Sequence, residues 1–391
     1  MQTRSEAVLQ IARRAQLHVR LRVPGTHMRL RVSDGLEWDT IRFNVRKECE
    51  RPRSTPHLAS PLRVASADGG RRIFLADEAG ETGNLTWENI PTLQDDDVAP
   101  WQQRVDVAIP GDVDLSCELD HGLLEIIGKY EGEFVDIRTR NEASIVMDRA
   151  KCQRVHVHMR GSGQWTAKLV QGHVFARLED QCSLALRKVQ GPTIRIATHD
   201  GELQLSSIYG GTVKLASRRG RIRVGAAHGI LTTLARCGQT SISGIDGTAR
   251  VYSDRGALQL HASNPQHICA MSRSGDVELK LNSGLRAQAY LYAMRSELIL
   301  IDSSAQLKVL ESTESTCSDG SRAQVVARVQ TDDPRSIADR IPAHQHSALL
   351  LVSDISPEEA RNRKLVLSSG TSQVSLSASD WLNSLRLGQH E

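Results

Sequence analysis

The stretch SRRGRIRV at residues 217–224 returns as SDRGALQL at 253–260 and SRSGDVEL at 272–279, with THDGELQL at 198–205 ahead of them. In each, Ser or Thr stands three residues before a glycine. The second and fourth residues after that glycine are aliphatic: Leu203 and Leu205, Ile222 and Val224, Leu258 and Leu260, Val277 and Leu279. Strict alternation turns one set of side chains inward and the other to solvent, so each stretch reads as a half-buried strand. A glycine ahead of the strand fits a turn that needs positive φ or a close backbone approach. Between these turns lies a second kind, at Tyr209-Gly210-Gly211, His228-Gly229 and Asp246-Gly247. A strand and a turn run only one way, so two units are needed to close a coil of about 19 residues.

The glycine ladder Gly191, Gly201, Gly211, Gly220, Gly229, Gly238, Gly247 and Gly256 is the centre of a longer one. Gly111, Gly122, Gly132, Gly163 and Gly172 extend it upstream and Gly275 and Gly284 downstream, with Ala143, Gln153, Cys182 and Gln266 in vacant slots. The fold class that follows is all-β, a parallel β-solenoid with two strands per coil and unlike turns that each stack on their own kind. About nine such coils, roughly 4.8 Å apart, make a rod on the order of 45 Å long. A three-sided coil of about 28 residues is the weaker option, because the Ser/Thr-x-x-Gly signature does not recur at that lag. Aromatics make up only 4% of the chain, which suits a narrow aliphatic interior. No coil is stable alone, and open strand edges need caps.

The flanks supply those caps. Residues 17–50 read as an N-terminal β cap, with a hairpin over His18–Val23 and Met28–Val32 around Pro24-Gly25 and a third strand over Trp38–Val45. Residues 51–104 read as a Pro-rich, acidic loop containing Asp95-Asp96-Asp97. The solenoid covers 105–304. A C-terminal cap over 305–391 holds strands at Ala323–Val329 and Lys364–Leu367 and a helix at Ser356–Arg363. A last helix at Asp380–Leu387 plugs the end.

The Ser/Thr-x-x-Gly-x-aliphatic-x-aliphatic units resemble the putative-adhesin domain, a β-solenoid family, over about residues 105–300. Tyr209-Gly210-Gly211-Thr212-Val213-Lys214-Leu215 and the tail Trp381-Leu382-Asn383-Ser384-Leu385-Arg386-Leu387 resemble more closely an uncharacterised, largely mitochondrial animal family containing that domain. The resemblance implies a fold and a compartment; it supplies no catalytic residues.

Net charge is +3, so no global field argues for nucleic acid. The N-terminus differs: Arg4, Arg13, Arg14, Arg20, Arg22, Arg29 and Arg31 precede the first Asp, with Glu6 the only acid. Residues 1–16 are expected to hold a targeting helix over Glu6–Gln16, which points to mitochondria, with a cytoplasmic protein as the alternative. No apolar run is long enough for a membrane span. Seven cysteines without a CxxC pair fit reduced thiols, with Cys182 and Cys237 at turns and expected to be partly exposed.

The residues suggest no cofactor, metal or catalytic group. His156-Val157-His158 puts two imidazoles on one strand face without a third ligand nearby. Polysaccharide-cleaving β-helices cluster acids on one face, whereas Asp200, Asp254 and Asp276 fall at turns among arginines. Arg218, Arg236, Arg255 and Arg273 recur every 18–19 residues and are expected to line one turn of successive coils. Such a basic ridge suits an acidic protein surface or anionic lipid. The leading functional expectation is a non-enzymatic scaffold that presents a repetitive surface to another macromolecule. The alternative is a carbohydrate-active β-helix enzyme.

Overall fold

A computed structural model describes residues 112–282 throughout. Outside that span it describes 3–10, 16–21, 27–32, 40–49, 63–67, 72–76, 87–89, 101–109, 288–293, 299–301, 307–316, 323–331, 364–369 and 373–379. The helices expected at Ser356–Arg363 and Asp380–Leu387, and ladder positions Gly111 and Gly284, lie outside the described residues. Every regular element among those residues is a strand. The chain forms two compact units, Met1–Tyr209 and Gly210–Glu391.

The first unit holds β1 (Thr3–Gln10), β2 (Gln16–Leu21), β3 (His27–Val32), β4 (Thr40–Cys49), β5 (Arg63–Ala67), β6 (Arg72–Ala76) and β7 (Trp87–Asn89). It continues with β8 (Trp101–Ile109), β9 (Asp114–Leu119), β10 (Gly122–Tyr130), β11 (Phe134–Thr139), β12 (Ala143–Met159), β13 (Gln164–Leu178) and β14 (Ser183–Thr198). The boundary between the units falls inside β15 (Leu203–Ser217). From β12 onward each long strand bends midway and serves two walls. The first half of β12 pairs with β10, the second half with β11, and β13 and β14 repeat the arrangement in parallel register. Leu115 therefore faces Val135, which faces Val155, then Val174 and Ile194, each 19 or 20 residues on. This is the two-strand coil expected from the repeat.

The N-terminal flank differs from its expected form. In place of a hairpin, β2 and β3 are the two sides of a coil inside the stack. β2 lies between β6 and β9, and β3 between β8 and β10, all parallel. Leu17, Val19, Met28 and Leu30 are buried as a result, and Arg29 pairs with Glu125 of β10 at 2.5 Å. The stretch read as a loop supplies β5 to β8, because β6 and β8 build the next coil outward. Of the helix expected over Glu6–Gln16, the part through Gln10 is strand and residues 11–15 lie outside the described residues: β1 runs antiparallel to β4, which runs antiparallel to β8. With β5 beside β6 and β7 beside β5, these antiparallel strands cover the outer edge of the stack.

The second unit continues with β16 (Ile222–Ala235), β17 (Thr240–Ser253), β18 (Leu258–Ser272), β19 (Val277–Asn282), β20 (Gln288–Ala293), β21 (Ile299–Ile301), β22 (Leu307–Thr316) and β23 (Ala323–Thr331). It ends with β24 (Lys364–Ser369) and β25 (Val374–Ser379). The last strands are again part of the stack. β24 sits between β18 and β20, and β25 between β19 and β21. β22 and β23 form a separate antiparallel pair.

The interior is aliphatic, with Leu203, Ile222 and Leu258 fully buried, as the alternation requires. It also admits two large rings, Trp165 and Tyr130. The Tyr130 hydroxyl is satisfied by the carbonyl of Val113, and burial pushes its pKa well up. Replacing Ile222 by Asp would set a charge in this core with no partner, costing several kcal/mol by the scale of buried polar transfer, about 2–7 kcal/mol. Hydrogen exchange on the Ile222→Asp variant should show protection lost in β16 and spreading into β17. Unchanged protection would mean that Ile222 is not an interior side chain.

Candidate functional site

Two corners join the walls, and the tight one carries the candidate site. Its geometry follows from the Ser/Thr-x-x-Gly signature. Ser272 is buried, and its hydroxyl accepts from the Gly275 N–H at 2.8 Å while donating to the Gly256 carbonyl of the preceding coil at 3.2 Å. Ser253 accepts from the Gly256 N–H at 2.8 Å. Thr198 donates to the Gly201 and Cys182 carbonyls. The hydroxyl thus closes its own turn and, at Ser272 and Thr198, holds it to the coil below.

Glycine is demanded by the same closeness. A Cβ on Gly256 would overlap the Gly238 carbonyl oxygen, and one on Gly275 the Gly256 carbonyl oxygen. Gly238, whose hydroxyl partner is replaced by Ala235, additionally has φ of +140°, a conformation that L side chains rarely adopt.

Backbone hydrogen bonds between successive turns fix which side chains stand above one another. Arg236 N–H donates to the Ser217 carbonyl at 2.9 Å and Cys237 N–H to the Arg218 carbonyl at 2.8 Å. Arg255 N–H donates to the Arg236 carbonyl at 2.9 Å and Ser274 N–H to the Asp254 carbonyl at 3.1 Å. In parallel pairing each donor lies one residue past the residue facing its acceptor, as Asp254 N–H to Ala235 O shows where Ala235 faces Ser253. The column is therefore Arg218, Arg236, Asp254, Arg273. Arg255 stands in the neighbouring column with Arg219, Cys237 and Ser274.

The four predicted arginines share one corner but not one row, because the coil repeats at eighteen residues there and Arg255 lies nineteen past Arg236. Asp254 takes the slot expected for Arg255. It lies 3.6 Å from Arg273 and 4.0 Å from Arg255, whose side chains are 84% and 74% exposed. At such exposure these pairs hold the guanidinium groups only weakly. Arg218, Arg236, Arg255 and Arg273 all face solvent, as do Arg219, Arg221 and Arg223. From Gly210 to Asn282 the chain carries ten Lys and Arg against four Asp and Glu, a net +6 where the whole chain has +3.

The tight corners of the first unit have a mixed character. Glu179 gathers Arg177 at 2.8 Å, His158 at 3.4 Å and Arg160 at 4.0 Å. Burial pushes its carboxyl up, but the His158 hydrogen bond and the arginine charges outweigh that and hold it below the usual range. His158 is engaged there. His156 instead lies edge-on between the Phe134 and Phe175 rings, at 5.7 and 5.1 Å. No group of three His, Cys, Asp or Glu gathers to metal-binding distance among the described residues.

The carboxylates weighed for catalysis have other partners. Asp200 lies 3.2 Å from His199, Asp254 holds arginines, and Asp276 accepts from the Gln373 N–H at 3.1 Å. Cys182, expected to be partly exposed, is fully buried, and burial pushes its thiol up; Cys237 is half-buried. Two side chains beside the ridge escaped the reading of the sequence. Leu234 and Ile230 face solvent on the wall leading to the arginine corner, a placement that alternation from Gly229 already implies.

No family model matches the chain. Solved structures that show some likeness include two adhesion-related proteins. One is a putative adhesin from Bacteroides fragilis NCTC 9343, 12% identical, covering 61% of this chain and 95% of its own, with a TM-score of 0.33. The other is a putative cell adhesion protein from Clostridium sporogenes ATCC 15579, 7% identical, covering 96% and 100%, with a TM-score of 0.16. Neither likeness bears on what this chain does.

The corner itself yields a stability test. Gly256→Ala forces a methyl against backbone, at about 1–3 kcal/mol for overpacking. Ser272→Ala removes the bonds from the Gly275 N–H and to the Gly256 carbonyl, at about 1–3 kcal/mol for a lost buried partner. Both variants should unfold at lower denaturant concentration than the wild type. Unchanged midpoints would show that the turns are not clasped in this way.

Proposed function

We propose that this chain is a non-enzymatic β-solenoid scaffold whose arginine corner binds an anionic macromolecule. The observation that supports it most is the concentration of charge: a net +6 over Gly210–Asn282, displayed on exposed side chains at coil spacing. Stacked strands stand about 4.8 Å apart, which is inside the Debye length of roughly 8 Å at physiological salt, so the arginines act together on a partner. Guanidinium forks match carboxylate and phosphate groups. A carbohydrate-active enzyme would need acids converging on one face, whereas Asp200, Asp254 and Asp276 have separate partners. Binding to an immobilised polyanion such as poly-L-glutamate should fall steeply with added salt. Reversal of Arg218, Arg236, Arg255 and Arg273 to Glu should abolish it and leave the circular dichroism spectrum unchanged. Equal retention of the reversed variant would place the binding surface elsewhere.

We further propose a mitochondrial location, supported by the Arg-rich, acid-poor start. The fold limits how much of that start is expendable. β2 and β3 are interior strands of the stack, so a presequence compatible with the folded protein ends before Gln16. A fluorescent reporter carrying residues 1–40 should enter mitochondria, and the chain lacking residues 1–15 should still fold, whereas one lacking 1–32 should not. A cytosolic reporter together with cytosolic full-length protein would overturn the location.

A further inference from the structure

Beside the arginine corner runs a row of apolar side chains that the ridge alone does not use. On the outer face of the second unit's wall, Leu234 faces Tyr252, and Tyr252 faces Met271, one per coil. Leu234 is 59% exposed, and Ile230, four residues earlier on the same face, is 48% exposed. These are the large hydrophobics most open to solvent in that unit among the described residues. Each member of the row lies two residues before the arginine column, Leu234 before Arg236 and Met271 before Arg273, which is roughly 7 Å along a strand. Arg250 lies on the same face, in register with Thr232 and Cys269.

The strands beneath this face have neighbours on both sides in parallel register. β17 lies between β16 and β18, and β18 between β17 and β24. Their backbone donors and acceptors are committed to other coils, so a partner peptide cannot add here as a further strand. Recognition must come from side chains alone: the exposed aliphatic groups of Ile230 and Leu234, the half-buried Tyr252 and Met271 beside them, and an arginine border with one acid, Asp254, in its column. That combination matches a headgroup layer, in which phosphates meet guanidinium groups and aliphatic side chains enter the acyl boundary.

We infer that this face docks the protein peripherally on a membrane rich in anionic phospholipid. The inference rests on the ridge reading above and adds the apolar row to it. Sedimentation with vesicles tests it, comparing pure phosphatidylcholine with phosphatidylcholine containing about 30% phosphatidylglycerol, anionic charge being the variable. The wild type should bind the second and not the first. Replacing Arg218, Arg236, Arg255 and Arg273 by Gln should weaken binding by about five-fold per arginine removed.

The double variant Ile230→Ser with Leu234→Ser should weaken vesicle binding at least about ten-fold while leaving retention on poly-L-glutamate unchanged. Leu234→Trp, which keeps the row apolar, should tighten vesicle binding and shift tryptophan emission to the blue. Vesicle binding by the double serine variant equal to that of the wild type, with no blue shift in Leu234→Trp, would overturn the membrane inference. Retention on poly-L-glutamate with no vesicle binding would also overturn it and leave the ridge reading standing. Failure to bind either would overturn both.

Discussion

The coils approach so closely at their corners that a carbonyl oxygen of one occupies the place where a Cβ of the next would lie. Much else depends on that contact. It excludes every side chain but hydrogen from positions such as Gly256 and Gly275, and so spaces the glycines by one coil. It brings the hydroxyl of Ser272 within reach of both its own turn and the turn below. It also stacks the residues between Ser and Gly directly above one another, which concentrates whatever charge they carry. The same constraint therefore sets the period, the signature and the surface.

Charge at these corners is consequently a property of columns rather than of the chain. A whole-chain value of +3 conceals a segment at +6, because acids elsewhere cancel it. Within the column a single substitution has a large local effect. Asp254 between Arg236 and Arg273 is the one carboxylate in its row, and it contacts arginines of both columns. In the first unit, Glu179 does similar work against Arg160, Arg177 and His158, and the corner there is of mixed sign.

The solenoid was legible because its cause is local. Alternation after each glycine names the buried face, and Leu203, Ile222 and Leu258 are interior as that rule demands. The ends were not legible, because their cause is long-range. Gln16–Leu21 and His27–Val32 alternate like the two arms of a hairpin, and their sequence does not reveal that β6 and β9, β8 and β10 will enclose them. Glu6–Gln10, the first part of the expected amphipathic helix, lies in β1, where pairing with β4 outweighs helical propensity. The spacing of the arginines placed all four at one corner of successive coils. It missed the column by one residue, since a nineteen-residue step and an eighteen-residue coil differ by one position, enough to exchange Arg255 for Asp254.

The claim on which the columns rest is the register of the two-strand coil, eighteen residues from β16 to β17. It is tested most directly by electron paramagnetic resonance with nitroxides at Leu234→Cys and Tyr252→Cys, Cys237 being replaced by Ser. Facing residues on adjacent strands put the labels about 5 Å apart at the backbone, close enough for strong spin–spin broadening. The expected result is a broadened spectrum for the doubly labelled protein that sharpens on denaturation. A spectrum equal to the sum of the two singly labelled proteins would contradict the register, and with it the columns built on it.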